Sequence, residues 1–155
     1  MPDTTITPLA PMTPDAAISA FHYLRAVQAD DTVAAAEFAG AEPRMPALLV
    51  DVAMRIVVPI TGLLGSDVAV PCDDAFALEA LGRVFITTLR SWAQTGPDAA
   101  EGIAHAVIDF AAQILTDDHE DIADILRQLE AVGVSQALDA HPAPAGAHPV
   151  RLTIV

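Results

Sequence analysis

The stretch Met45 to Gly65, MPALLVDVAMRIVVPITGLLG, constrains this chain more than any other. It is almost wholly apolar, and it carries one charge of each sign, Asp51 and Arg55, four residues apart. On a helix that spacing puts both side chains on one face, within reach across a single turn. The segment approaches the roughly 20 apolar residues a bilayer crossing needs. Its interior is wrong for one, because Asp51, Arg55 and the helix-disrupting Pro59 would all fall inside the hydrocarbon. Leu48, Leu49, Val52, Ile56, Val57 and Ile60 wrap most of the helix surface, so the stretch is read as the central buried helix of a globular core. Pro46 suits its first turn, a bend is expected at Pro59 and a stop at Gly65.

The rest of the chain supplies further helices. Thr13 caps the first, with Pro14 at its opening position, and the helix is expected to run to about Ala29. Asp30 and Asp31 open a short second helix ending at Gly40. Asp73 or Asp74 caps a long fourth helix that closes at Gly96, with Ala77, Leu78, Leu81, Val84, Phe85, Thr88, Leu89 and Trp92 as its apolar stripe. Pro97 starts a fifth helix, whose buried side is Ile103, Val107, Phe110, Ala111 and Ile114. Asp117 and Asp118 lead into a sixth, expected to stop at Gly133, with a further turn at Ser135 to Ala140. The three Asp-Asp doublets at 30/31, 73/74 and 117/118 read as caps, where a carboxylate accepts orphan N-H groups and meets the positive end of the helix dipole.

The expected fold is therefore all-α, an irregular or orthogonal bundle of five to six helices. Residues 1-12 form an extended N-terminal arm and 13-140 a single helical domain. Residues 141-155 form a Pro-rich C-terminal arm whose Val150 to Val155 alternates like a strand and is expected to dock on the body or on a partner subunit.

Apolar residues make up 53% of the 155 and aromatics only 5%, so the core is built from small aliphatics and some aliphatic surface is expected to be covered by a copy of the chain itself or by another protein. Seven basic residues, all arginine, face 21 acids for a formal charge of −14. Such a chain repels phosphates and anionic lipid, which excludes nucleic-acid and membrane-surface binding. The N-terminus lacks the basic and apolar regions of a signal peptide, so a cytoplasmic location is expected. The lone Cys72 excludes an intrachain disulfide and reads as a small packed residue, because Asp73 and Asp74 disfavour a thiolate.

Few residues can carry chemistry. Glu101, His105, Asp109 and Gln113, spaced four apart, could bind a divalent ion, but they lie opposite the apolar side of their helix and read as a solvated face. The run Asp117 to Asp121 lacks the ligand order and glycine turn of a calcium loop. No phosphate loop, serine elbow, GxGxxG or HExxH occurs, so no metal and no cofactor is expected. The expected function is a non-catalytic helical interaction protein, either a homodimer or the accessory subunit of an enzyme. The alternative is a small enzyme or small-molecule-binding protein whose interhelical pocket holds an anionic ligand on His22, Arg25, Asp51, Arg55 and Arg83.

Overall fold

Helix starts and stops follow from side-chain chemistry that the sequence carries openly. Thr13 Oγ1 accepts from the Ala16 amide at 3.3 Å and Pro14 opens the first helix, α1, which spans Pro14-Gln28. The computed structural model describes residues 11-61, 73-116 and 121-142. Among them the chain is all-helical, with α1 followed by α2 (Thr32-Ala41), α3 (Met45-Thr61), α4 (Asp73-Ala93), α5 (Ala99-Ile114) and α6 (Ile122-Ala140). No helix among these residues is long and apolar enough to cross a membrane. The expected stop at Gly65, Cys72, the 117/118 doublet and both terminal arms lie outside the described residues, apart from 11-12 and 141-142.

The turn between α1 and α2 corrects one reading. Asp31 caps α2, its Oδ1 accepting from the Ala34 amide at 3.0 Å, but Asp30 belongs to the end of α1. The Asp30 amide donates to Val27 and the Asp31 amide to Ala26, the paired bonds that close a helix when the intervening residue turns left-handed. Asp30 takes that turn, at φ 56°, in a position usually given to glycine. Asp73 and Asp74 both lie within the first turn of α4.

Helix α3 is the expected buried element. Leu49, Val52 and Val57 have no exposed surface, and Met45, Leu48, Val50, Ala53, Ile56 and Thr61 join them in the core. It packs against α1, α4 and α5. The centre is shared, however, because α1 packs against α2, α3, α5 and α6. Leu24, Ile103 and Leu126 complete the interior from α1, α5 and α6. Each large aliphatic side chain so buried stabilises the fold by about 1.5-3 kcal/mol.

Glycines set helix-helix distances, Gly102 of α5 against Trp92 of α4 among them. Gly133, expected as a stop, is interior to α6, which continues to Ala140. A Cβ there would meet Phe21 Cε2 at 2.9 Å, so its lack of a side chain seats α6 against α1. Gly82 of α4 faces Thr61 in the same way, at 2.8 Å. Pro59 is accommodated inside α3, two residues before the last helical position described.

The apolar stripe expected on α4 is mostly exposed: of its eight residues Leu89 is buried and Phe85 partly so, Phe85 stacking on Phe110 of α5 with ring centroids 5.2 Å apart. Gly82 and Ile86, which lie outside that stripe, face the core with Leu89. Leu81 and Val84 are 66% and 64% exposed, and Leu78, Thr88 and Trp92 are exposed with them. On α5, Ile103, Val107 and Ala111 are buried as expected and Phe110 partly so, whereas Ile114 is exposed.

Candidate functional site

An arginine in a helix that is apolar on nearly every side has to find a polar partner or a cavity. Arg55 finds a cavity. A space of about 280 Å³ lies between α1, α3 and α6, walled by Phe21, Val52, Ile56, Ile60, Leu129 and Val132, with Arg55 and Gln136 as its polar side chains. The Nε and Nη2 atoms of Arg55 are buried and have no hydrogen-bond partner among the described residues. The helix adds a further vacancy in the bonding pattern. Pro59 stands four residues after Arg55 and has no N-H, so the Arg55 carbonyl lacks its intrahelical donor.

The expected Asp51-Arg55 contact is not made. The ion pairs among the described residues join other partners, and Asp51 lies within the Coulomb field of Arg55 and Arg90 without bonding either. Burial pushes the Asp51 carboxyl above its ordinary range, and the two arginines offset only part of that. Four-residue spacing allows a contact, but each side chain's rotamer is decided by its own surroundings. The Nη2 of Arg90 turns to Met54 Sδ at 2.8 Å.

The other expected ligand contacts do not converge on this cavity. His22 and Arg25 reach Glu130 of α6, at 3.3 Å and 3.0 Å, on the outer surface between α1 and α6. The His22 ring also lies 5.5 Å from Phe38 of α2. Arg83 bonds Glu79 one turn back on α4. Of His22, Arg25, Asp51, Arg55 and Arg83, Arg55 lines the cavity. The residues missed from sequence are Phe21, Leu129 and Gln136. The signal for the last two was the spacing Leu129, Val132, Gly133 and Gln136, which lies along one face of an α6 that continues past Gly133.

A second cleft, of about 370 Å³, sits where the α1-α2 turn meets the start of α5. Asp30, Asp31, Asp98 and Glu101 border it, small alanines form its walls, and Tyr23 and His105 also line it. Burial first, and the Glu101 carboxylate second, push the Tyr23 phenol up from its ordinary value. Glu101, His105, Asp109 and Gln113 are all exposed, as a solvated stripe should be, and His105 Nε2 is 3.9 Å from Glu101, beyond hydrogen-bond distance. No three His, Cys, Asp or Glu side chains among the described residues are arranged to hold a metal ion.

The third feature is the outer face of α4. Five of the nine large apolar side chains left exposed among the described residues belong to this helix: Phe76, Leu78, Leu81, Val84 and Trp92. Exposed apolar area concentrated on one element marks an interaction surface more often than scattered single residues do. Comparison with protein-family models, with curated proteins and with solved structures gives no match, so what the chain does has to follow from its own geometry.

Proposed function

We propose that the protein is a non-catalytic interaction module that pairs with a second copy of itself through the outer face of α4. The observation that carries this reading is the exposure of Leu81 and Val84, at 66% and 64%, on a helix that also leaves Phe76 and Leu78 uncovered. Removing such side chains from water contributes about 25 cal/mol per Å² buried.

Charge favours a second copy as the occupant. The chain carries a formal charge of −14, so two copies repel each other over most of their surfaces. Helix α4 holds Asp73, Asp74 and Glu79 against Arg83 and Arg90, leaving it one net negative charge. Repulsion is weaker there than along α5 or α6, each of which carries two net negative charges. An antiparallel two-fold pairing of α4 with α4 sets the two helix dipoles head to tail, with the acidic first turn of one copy beside the C-terminal end of the other. At 21 residues the helix is about 30 Å long, enough for a continuous seam.

Light scattering on a size-exclusion column tests the reading. The wild-type protein is expected to run as a dimer, and Leu81→Glu/Val84→Glu as a monomer with an unchanged helical CD spectrum, since both side chains already face water. A wild-type monomer at high concentration would overturn it, as would a dimer that survives both substitutions.

A further inference from the structure

We propose that the cleft between the α1-α2 turn and the start of α5 binds a linear aliphatic polyamine, its ammonium groups held by Asp30, Glu101 and the phenol oxygen of Tyr23. Four carboxylates border the cleft, those of Asp30, Asp31, Asp98 and Glu101, and no arginine lines it. Two of the four serve the helices. Asp31 caps α2 through the Ala34 amide, and Asp98 is the N-cap residue of α5, beside the positive end of its dipole. Asp30 instead follows the C-terminal end of α1, where the negative end of the dipole adds to the attraction for a cation. The ion-pair neighbour of Glu101 among the described residues is His105, whose Nε2 stands 3.9 Å away, beyond hydrogen-bond distance. The arginines that form ion pairs among the described residues take other partners, so neither Asp30 nor Glu101 is neutralised by one.

An acidic border by itself is only a solvated edge. Tyr23 turns this one into a site. The residue is 4% exposed, yet its hydroxyl has no hydrogen-bond partner among the described residues. The side-chain polar atoms that are both sealed from solvent and unpartnered there belong to Arg55, so Tyr23 Oη keeps open surface, and Tyr23 lines the cleft. The Glu101 carboxylate acts on the same phenol, after burial, in pushing it above its ordinary value, so both groups work on the same side of the cleft. A phenol oxygen with nothing to bond is a free acceptor for an N-H that a ligand brings. The shape selects an extended cation over a compact one. No three His, Cys, Asp or Glu side chains among the described residues are arranged to hold a metal ion, so the carboxylates are spread along the border and suit charges spread along a chain. Alanines of α1, α2 and α5, with Val27 and Pro97, offer hydrocarbon to the methylenes between those charges. The volume of about 370 Å³ falls within the range of small-molecule sites, roughly 300-1,000 Å³.

Calorimetric titration of the full chain at physiological salt tests this, with spermidine and with hexaamminecobalt(III), a compact cation of the same charge. Spermidine is expected to bind one to one and at least about tenfold more tightly than the cobalt complex. Tyr23→Phe removes a hydroxyl and no charge, and is expected to weaken spermidine at least about threefold. Glu101→Gln is expected to weaken it at least about tenfold. Asp139→Asn makes the same change of charge on an exposed position of α6, which does not line the cleft, and is expected to change it less than about twofold. If Tyr23→Phe does not fold, the contrast between Glu101→Gln and Asp139→Asn decides alone. No binding of spermidine, equal binding of the two cations, equal losses in Glu101→Gln and Asp139→Asn, or a folded Tyr23→Phe that binds spermidine as the wild type does would each overturn the proposal.

Discussion

Gly133 on α6 lies so close to the ring of Phe21 on α1 that a Cβ at position 133 would stand 2.9 Å from Phe21 Cε2. Phe21 is 4% exposed, and although it borders the cavity its ring must shift before a Cβ fits at position 133. Gly133→Ala gains about 1 kcal/mol of helix propensity, but forcing the ring aside costs about 1-3 kcal/mol. Gly40, inside α2, has nothing within 4 Å of the same virtual atom. Gly40→Ala is therefore expected to raise the melting temperature and Gly133→Ala to leave it unchanged or lower it. Thermal unfolding followed by CD distinguishes them, and an equal rise in both variants would mean that α6 is not held at this distance by the missing side chain.

Asp30 is a second position where the backbone asks for glycine. Its φ of 56° is left-handed, and its carboxylate sits at the negative end of the α1 dipole. Asp30→Gly removes both penalties and is expected to stabilise the protein by about 1 kcal/mol, net of the extra entropy glycine brings to the unfolded chain. Chemical denaturation at neutral pH measures it. A loss of stability would show that the Asp30 side chain makes a favourable contact that outweighs its strained backbone.

These two sites also mark what could be read in advance. The all-helical class, the burial of Leu49, Val52 and Val57, and the Thr13 cap depend on local spacing and local hydrogen bonds, which a sequence displays directly. Whether a glycine ends a helix or makes room for a neighbour depends on what stands opposite. Gly133 faces Phe21 from 112 positions away, and nothing in its own neighbourhood in the chain announces that. Periodicity likewise records that α4 has an apolar stripe, but it cannot say that the core takes Gly82, Ile86 and Leu89 and leaves Leu81 and Val84 in water. Arg55 stood out as a cation in an apolar helix. That its Nε and Nη2 are buried without a hydrogen-bond partner among the described residues depends on the rotamer of Asp51 and on how the other helices pack round it.

Asp51 makes the stability depend on pH in a definite direction. Its carboxyl is raised above its ordinary value, chiefly by burial, so the folded state holds the proton more tightly than the unfolded chain does. The favourable contribution is complete below the ordinary aspartate range and is lost as the pH rises through the higher folded value. At neutral pH the ionised group is therefore a net liability, which Asp51→Asn removes. The variant should melt above the wild type at pH 7, and the gap should close as the pH falls toward about 3. An Asn variant that melts lower at pH 7 would mean that Arg55 and Arg90 stabilise the carboxylate more than burial opposes it.

Glu130 gathers two α1 side chains at one point, with Arg25 Nη1 at 3.0 Å and His22 Nε2 at 3.3 Å. Arg25 is 44% exposed, so water and salt screen the pair. A double-mutant cycle of Arg25→Ala and Glu130→Ala is expected to give a coupling of about 0.2-1 kcal/mol that shrinks in 1 M salt. A larger coupling, insensitive to salt, would place this cluster among the main fastenings of α6 to α1.

Association through α4 has a signature in the melting curves. A dimer is stabilised by mass action, so the wild-type melting temperature should climb with protein concentration, while that of Leu81→Glu should not. Leu81 already faces water, so the substitution leaves the packing of the single copy intact. A wild type whose melting temperature is independent of concentration would remove the dimer, and a Leu81→Glu variant that still responds to concentration would move the pairing surface away from this face of α4.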